Sequence, residues 1–226
     1  MMITQIAPAL ISASVMKRLI TAVLLLAFQV SSHSRASAQT QVSWEQLEQQ
    51  ILAEHNRVRK NPKSYVPLLE AWLEQTDEQG MVRLNQTTQL QTVEGRQAIQ
   101  AAIAFLNTQS RRPALSASQG LKNVAKSHSA YLQTGSTGHR GRRGQSPESR
   151  FLEFGRPIGL FGENISYGLQ TPETILMGLI INDGNPRRGH RRNLFESRFR
   201  RVGVGCGQHQ TFWVVCVMTY ANDFRE

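Results

Sequence analysis

The chain has few of the features that mark common enzyme classes. It has two cysteines in 226 residues, 7% aromatic residues, and 16 acidic against 26 basic residues, which gives a formal net charge of +10. Neither the H-E-x-x-H motif of zinc peptidases nor the G-x-S-x-G motif of serine hydrolases occurs, so two common types of hydrolytic site are excluded. No apolar run reaches about 18 residues, so we predict no membrane-spanning helix in the body of the protein.

The N-terminal residues have the pattern of an export signal. Met16-Lys17-Arg18 supplies a basic start, an apolar stretch follows from Leu19 to Val30, and Ala36-Ser37-Ala38 is typical of a cleavage site. We therefore predict a signal peptide over residues 1–38, in which residues 1–15 are an over-extended gene start. An uncleaved membrane anchor is the alternative, although the apolar segment is short for a span. The predicted location of the mature protein is secreted, periplasmic or extracellular.

Export permits disulfides, and Cys206 and Cys216 are the two available cysteines. They lie in two runs typical of strands, residues 201–206 and 212–218, which we predict to form a hairpin. A cross-strand disulfide and a pair of buried free thiols both fit this pattern.

Apolar spacing predicts several helices. The first runs from Val42 to Arg59 and ends before Asn61-Pro62. Another begins at Gln119 and carries His128 on or beside its apolar stripe, where we interpret it as a packed or surface residue outside any site. Between these helices, a polar stretch from Glu74 to Thr92 is predicted to be loosely ordered, followed by a third helix with Ile99, Ile103 and Leu106 on one face.

Three short motifs each place one titratable side chain beside a glycine. They are Gly138-His139, Gly162-Glu163 and Gly189-His190. Glycine lets the backbone turn tightly and approach a ligand, so a polar neighbour tends to be aimed by the turn. We expect His139, Glu163 and His190 to line one cleft. Asp183 or the adjacent Asn182 is expected on its rim.

The order of these motifs resembles the CAP superfamily, which takes in the cysteine-rich secretory, antigen 5 and pathogenesis-related 1 proteins. The resemblance covers Trp44 to Phe224 and is interrupted by residues 60–112, a helical insertion after the first helix. It implies an α+β fold, a three-layer α-β-α sandwich forming a single domain over residues 42–226. It also implies a central cavity lined by two histidines and two acids. The residues that match the motif without being cavity residues are His55, Asn56, Arg59, Asn164 and Asn193.

Carried over residue by residue, the resemblance implies that His139 and His190 are the cavity histidines and Glu163 the first acid. Asp183 is the candidate for the second acid, with a register uncertain by one residue. The sequence after His190 looks like bacterial members, because the aromatic-rich segment of animal and plant members is replaced by Arg191-Arg192-Asn193-Leu194-Phe195.

Two imidazoles and two carboxylates suit a divalent cation such as zinc, with His139 and His190 as candidate ligands and an open position for water. The same groups fit a hydrogen-bonded ring without a metal, in which each acid orients an imidazole. The positive charge around the cleft disfavours a cation. It comes from seven arginines: Arg140, Arg142, Arg143, Arg187, Arg188, Arg191 and Arg192.

Three functions fit these features, in order of preference. The first is a secreted binding or interaction module whose cavity holds a small ligand, a lipid or a divalent cation. The second is a metal-assisted peptidase or esterase, for which no catalytic residue is assigned. The third is a basic adhesin for anionic envelope polymers. The seven arginines form either a collar for such an anionic lipid or polymer or an ordinary solvated surface. We expect a monomer with no nucleic-acid partner, because the chain is exported and its basic runs lack interleaved aromatic residues.

Overall fold

The computed structural model describes residues 2–5, 43–84 and 88–226. Apart from a strand at its start, the predicted signal peptide lies outside the described residues. The helices are α1 (Trp44–Lys60), α2 (Val66–Glu74), α3 (Arg96–Thr108), α4 (Gln119–Leu132), α5 (Pro147–Leu152), α6 (Pro172–Ile181) and α7 (Gly189–Phe195). The strands are β1 (Met2–Gln5), β2 (Met81–Arg83), β3 (Thr88–Gln91), β4 (Ser116–Ala117), β5 (Arg156–Tyr167), β6 (Arg201–His209) and β7 (Trp213–Arg225). No helix in the described ranges is long and apolar enough to cross a membrane.

A four-stranded sheet with the order β4-β6-β7-β5 forms the centre of the domain. Strands β6 and β7 make the predicted antiparallel hairpin, in which Cys206 lies directly opposite Cys216. The two cysteines are joined by a disulfide, which decides between the two alternatives that the sequence left open. Strand β5 pairs antiparallel with β7 and places Glu163 opposite Thr219, so the acid lies in the middle of a sheet strand.

Residues along β6 alternate between side chains that point to one face of the sheet and glycines that lie on the other face. Val202, Val204 and Cys206 pack in the core that also contains α1, α3 and α6. The glycines between and after them face α4 so closely that a Cβ at Gly203 would lie 2.0 Å from the Leu121 carbonyl carbon. Helices therefore cover both faces of the sheet. This arrangement confirms the predicted α+β fold, a three-layer α-β-α sandwich.

The residues of the α1 motif connect this helix to α7 and to the segment before β4. Asn56 donates to the Leu115 carbonyl at 2.9 Å and accepts from the Leu115 amide at 2.8 Å. Arg59 is completely buried and donates to the carbonyls of Leu194 at 2.7 Å and Pro113 at 2.8 Å. His55 also hydrogen-bonds the Leu194 carbonyl, at 3.2 Å. These contacts hold the helix that begins at Gly189 and carries His190.

Residues 60–112 contain α2, the β2–β3 pair and α3. Ile99 and Leu106 on α3 are fully buried in the main core. The prediction of loose order between Glu74 and Thr92 is wrong for the two strands, because Val82 and Leu90 are buried in the same core. Strand β3 also pairs with β1 at the start of the chain.

Candidate functional site

A cavity of about 280 Å³ opens beside the end of β5. Its polar lining comes from His139, His190, Asn182 and Asp183, and Ser166 and Tyr167 extend it along the strand. Its apolar lining comes from Ile165, Leu169 and Leu179, together with Gly138 and Gly178. The cavity therefore has one polar end, at the histidines, and one apolar end.

Glu163 lies behind His139 and is tied to it. Its Oε1 accepts from His139 Nδ1 at 2.9 Å, and its Oε2 accepts from Arg150 Nη2 at 2.7 Å. The side chains of Glu163 and Arg150 are 3% and 1% exposed, whereas that of His139 is 47% exposed. The buried pair thus orients a half-exposed imidazole, whose Nε2 is left to accept a hydrogen bond.

Glu163 is held in its charged form. Burial alone would raise the pKa of its carboxyl, but the hydrogen bond from His139 and the charge of Arg150 outweigh burial and lower the pKa below its usual range. Both carboxylate oxygens are already hydrogen-bonded. Glu163 is consequently an orienting group and a poor acceptor for a further proton.

His190 lies next to His139, with 6.2 Å between the ring centroids. Its backbone amide donates to Asn182 Oδ1 at 2.8 Å, and its Nδ1 accepts from Asn182 Nδ2 at 3.3 Å. Burial, with a smaller contribution from His139, lowers the pKa of His190 to about 4. At neutral pH this imidazole is uncharged, and the proton that Nδ1 lacks lies on Nε2.

Asn182, and not Asp183, is the residue that contacts the second histidine. Asn182 ends α6 in the left-handed region, with φ 50°, a conformation that asparagine adopts more readily than most residues. The Asp183 carboxylate borders the cavity but accepts from the backbone amides of Val93 at 2.6 Å and Glu94 at 2.9 Å. These two amides provide the partners that a carboxylate at a helix C-terminus needs.

The residues present do not fit a zinc site. The part of the chain that the structure describes has no group of three or more His, Cys, Asp or Glu side chains placed to hold a metal. The Glu163 carboxylate is engaged by Arg150 and His139, and the Nδ1 lone pair of His190 is engaged by Asn182. The Glu163 carboxylate orients the His139 imidazole, and the Asn182 amide orients the His190 imidazole.

Three residues around the site, His128, Tyr167 and Arg150, were not predicted as site residues from the sequence. His128 is completely buried, and its Nε2 lies 3.0 Å from the Gly138 carbonyl and 3.8 Å from Glu163 Oε1. Tyr167 accepts from the Gly138 amide at 2.9 Å, while Arg150 anchors Glu163. Asn182 was named only as an alternative. Arg150 lies on a helix of six residues, and Tyr167 comes at the end of a strand, so neither had a spacing signal that pointed to the cavity.

The two asparagines of the motif connect the cavity strand to α7. Asn164 donates to the His190 carbonyl at 3.1 Å. Asn193 donates to Asn164 Oδ1 at 2.9 Å and to the Glu163 carbonyl at 3.2 Å. These bonds set the position of α7, and therefore of His190, relative to Glu163.

The predicted arginine collar is wrong for two of its seven members. Arg191 is 5% exposed and donates to the carbonyls of Ile180 and Ile181, the latter at 3.0 Å. Arg188 forms a two-point salt bridge with Glu94, in which Nη1 lies 2.6 Å from Oε1. Both guanidinium groups stabilise the turn between α6 and α7. The five exposed members are Arg140, Arg142, Arg143, Arg187 and Arg192.

Comparison with known proteins gives one family match. A family model described as CAP, the cysteine-rich secretory protein family, matches residues 52–220. Among solved structures, the chain is similar to an extracellular protein containing an SCP domain from Bacillus anthracis, with 22% identity, 57% of this chain and 40% of that chain covered, and a TM-score of 0.41. It is also similar to an outer surface protein from Borrelia burgdorferi, with 17% identity and a TM-score of 0.40. That match covers 50% of this chain and 78% of the Borrelia protein. The chain spans less than half of the Bacillus protein, and no curated protein matches it.

Proposed function

The chain belongs to the CAP family of cysteine-rich secretory proteins, and we propose that it is a binding module whose cavity takes a small neutral ligand with an apolar body. The observation that carries this proposal is the pairing of His139 with His190 at the polar end of the cavity. Each ring uses Nδ1 inside the protein, so each has Nε2 available for a ligand.

The hydrogen bonds define what the two Nε2 atoms offer. His139 donates from Nδ1 to a carboxylate, so the Nε2 of its neutral form is an acceptor. His190 accepts at Nδ1, so its Nε2 carries a hydrogen and is a donor. A group that both donates and accepts, such as a primary amide or an alcohol, complements this pair. The apolar end formed by Ile165, Leu169 and Leu179 suits a short alkyl chain.

Calorimetric titration with two matched probes tests the proposal. Hexanamide has both a donor and an acceptor, whereas N,N-dimethylhexanamide lacks the donor. We expect hexanamide to bind about tenfold more tightly, the equivalent of one hydrogen bond to a positioned imidazole. His139→Phe should remove this preference, because the donor of hexanamide pairs with His139, whereas His190→Phe should weaken the binding of both probes. Arg187→Gln changes an exposed residue that does not line the cavity and should retain the preference. Equal binding of the two probes by the unaltered protein would refute the proposal.

Hydrolysis is the second candidate, and the His139–Glu163 pair is the observation that favours it. An imidazole oriented by a buried carboxylate can accept a proton from water at Nε2 while the hydroxide attacks an ester carbonyl. Release of p-nitrophenol from p-nitrophenyl acetate measures this reaction. A rate above background that falls to background in His139→Gln and persists in Arg187→Gln would support hydrolysis. A rate that does not respond to His139→Gln would exclude it.

Export is part of the same proposal. The signal-like sequence that ends at Ala38 predicts that the mature chain begins at Gln39. Mass spectrometry of the protein recovered from the medium or periplasm checks this position. A mature chain that begins elsewhere would refute the placement of the cleavage site, and an intact chain in the membrane fraction would support the anchor alternative.

A further inference from the structure

A second cavity, of about 500 Å³, has Arg150 in its lining. Its lining includes His128, Tyr131, Arg142, Arg143, Arg150 and Glu153. It shares no lining residue with the cavity beside His139 and His190. We call it the arginine cavity.

Arg150 has unused hydrogen-bonding capacity at this cavity. Its Nη2 donates to Glu163 Oε2 at 2.7 Å and to the His139 carbonyl at 3.2 Å. Among the described residues, no acceptor pairs with its Nε or its Nη1, although the side chain is only 1% exposed. A buried donor without an acceptor costs free energy, and the cost is larger for a charged group. Arg150 is part of the lining of the arginine cavity.

The neighbouring backbone is shaped around the guanidinium group. A Cβ at Gly141 would lie 3.3 Å from Arg150 Nη1 and 2.8 Å from Gln145 Oε1, so a side chain at this position would crowd the arginine. His128, which is completely buried, also has an Nδ1 atom without a hydrogen-bond partner in the described part of the chain. Two buried side chains in one cavity wall therefore each have nitrogen atoms without a partner.

The charge of the lining is strongly positive. Arg142 and Arg143 are exposed at the rim, and within the described ranges neither takes part in a salt bridge. Arg143 has φ 55°, in the left-handed region that costs free energy for a residue with a side chain. Glu153 is the acidic residue of the lining, and its Oε1 accepts from Gln145 Nε2 at 2.5 Å. Three arginines thus face one glutamate.

We propose that the arginine cavity binds a phosphate monoester, with the phosphate held by Arg150 and by the rim arginines Arg142 and Arg143. The planar guanidinium group presents paired N–H donors that match phosphate oxygens. Arg150 is paired with Glu163, so the positive charge that remains available to a phosphate is that of Arg142 and Arg143, with Glu153 as the acidic residue of the lining. The volume is within the range of small-molecule sites, so the organic part of the ester fits beside the phosphate. Glycerol 3-phosphate and the headgroup of phosphatidic acid share this chemistry.

The test follows the guanidinium Nε–H signal of Arg150 by nitrogen-15 NMR. One arm titrates the protein with inorganic phosphate and with glycerol 3-phosphate, and the other adds phosphatidylcholine vesicles with and without phosphatidic acid. We expect a saturable shift of the Arg150 signal in at least one arm. The arm that responds identifies a soluble ester or a lipid headgroup as the source of the phosphate. No saturable response in either arm would overturn the proposal.

Variants separate this site from a general attraction of the basic surface for anions. We expect Arg142→Gln and Arg143→Gln each to weaken binding about tenfold, equivalent to one charge-assisted hydrogen bond. Arg187→Gln removes an exposed arginine outside the lining and should leave binding unchanged. Equal weakening by all three variants would also overturn the proposal. Because both rim residues are exposed, their variants are expected to fold. The site does not depend on the hexanamide result, so each proposal can fail without the other.

Discussion

His190 is in an environment that keeps its imidazole neutral. The ring is largely withdrawn from water, a second imidazole lies 6.2 Å away, and its hydrogen-bond partner Asn182 carries no charge. Burial is the main cause of the lowered pKa, because a charged imidazole loses hydration that no nearby carboxylate replaces.

We predict that stability depends on pH through His190. Its pKa of about 4 in the folded protein is below the ordinary value of 6.5, so between these values the unfolded chain binds more protons. The free energy of unfolding should fall as pH decreases from about 6.5 to about 4. His190→Gln should remove about 1–3 kcal/mol of this fall. Urea unfolding at several pH values measures the difference, and identical pH profiles for the two proteins would contradict the prediction. His55 and His128, whose pKa values are also lowered by burial, supply the remaining slope.

Replacing Glu163 alone should lower the free energy of unfolding more than replacing Glu163 and Arg150 together. Glu163→Gln leaves the Arg150 charge buried without its carboxylate, and we expect it to lower the free energy of unfolding by about 3 kcal/mol. The double variant Glu163→Gln with Arg150→Met removes the orphaned charge and should recover part of this loss. Chemical denaturation of the two variants is the measurement. A double variant less stable than the single one would show that the ion pair is not the main source of the loss.

Sequence motifs predicted only the site residues that follow a glycine, and not the residues that support them. His139, Glu163 and His190 each follow a glycine, and this local signal led to the expectation of a shared cleft. Arg150 has no such signal, because its role comes from the packing of α5 against the sheet. The choice between Asn182 and Asp183 depends on where α6 ends, and a helix boundary is the least certain feature of a sequence pattern.

At the scale of elements, the backbones of β6 and α4 approach each other closely. The Val-Gly-Val-Gly-Cys-Gly segment supplies side chains to one face and only hydrogens to the other. A Cβ at Gly205 would lie 2.5 Å from the Lys126 backbone nitrogen. At Gly207 the nearest atoms belong to the Gln133 side chain, which can move.

This difference yields a matched prediction. Gly205→Ala should destabilise the domain by about 3 kcal/mol or more, because helix and strand backbones must separate. Gly207→Ala should cost less than about 1 kcal/mol, because Gln133 can change rotamer. Thermal unfolding of both variants measures the contrast. Similar losses for the two would mean that backbone contact between α4 and β6 does not limit their approach.

Elements with apolar periodicity over many residues were predicted well, whereas the short strands and the 12-residue strand β5 were not. Helices α1 and α4 and the β6–β7 hairpin have apolar periodicity over many residues, which is the strongest signal in a sequence. Strands β2 and β3 have three and four residues, and their burial comes from packing against α2 and α3. No local pattern of that length distinguishes a buried strand from a polar loop.

At the scale of the whole molecule, the charge of +10 is not all on the surface. Arg59, Arg150 and Arg191 are each at most 5% exposed and hydrogen-bond to carbonyl or carboxylate oxygens. Burial lowers the pKa of Arg59 and of Arg191 to about 10, so both stay charged at neutral pH. The net charge of this protein therefore includes buried arginines that hydrogen-bond within the domain as well as solvated residues.

We propose that residues 60–112 are an insertion that has become part of the main core. Leu106 on α3 is fully buried there, together with residues of α1 and α6. Leu106→Ala should then lower the stability of the whole domain by about 2–5 kcal/mol in a single transition. Guanidinium unfolding followed by tryptophan fluorescence and by circular dichroism is the measurement. Two separate transitions would instead indicate that the segment unfolds independently of the sandwich.

The most direct test of the account is nitrogen-15 NMR of the histidine side chains during titration with hexanamide. We predict that the neutral imidazole of His139 carries its hydrogen on Nδ1 and that of His190 on Nε2, as their partners Glu163 and Asn182 require. We further predict that the Nε2 signals of these two residues shift saturably, while those of His55 and His128 do not move. Hexanamide that leaves the signals of His139 and His190 unchanged would contradict the assignment of this cavity as the binding site.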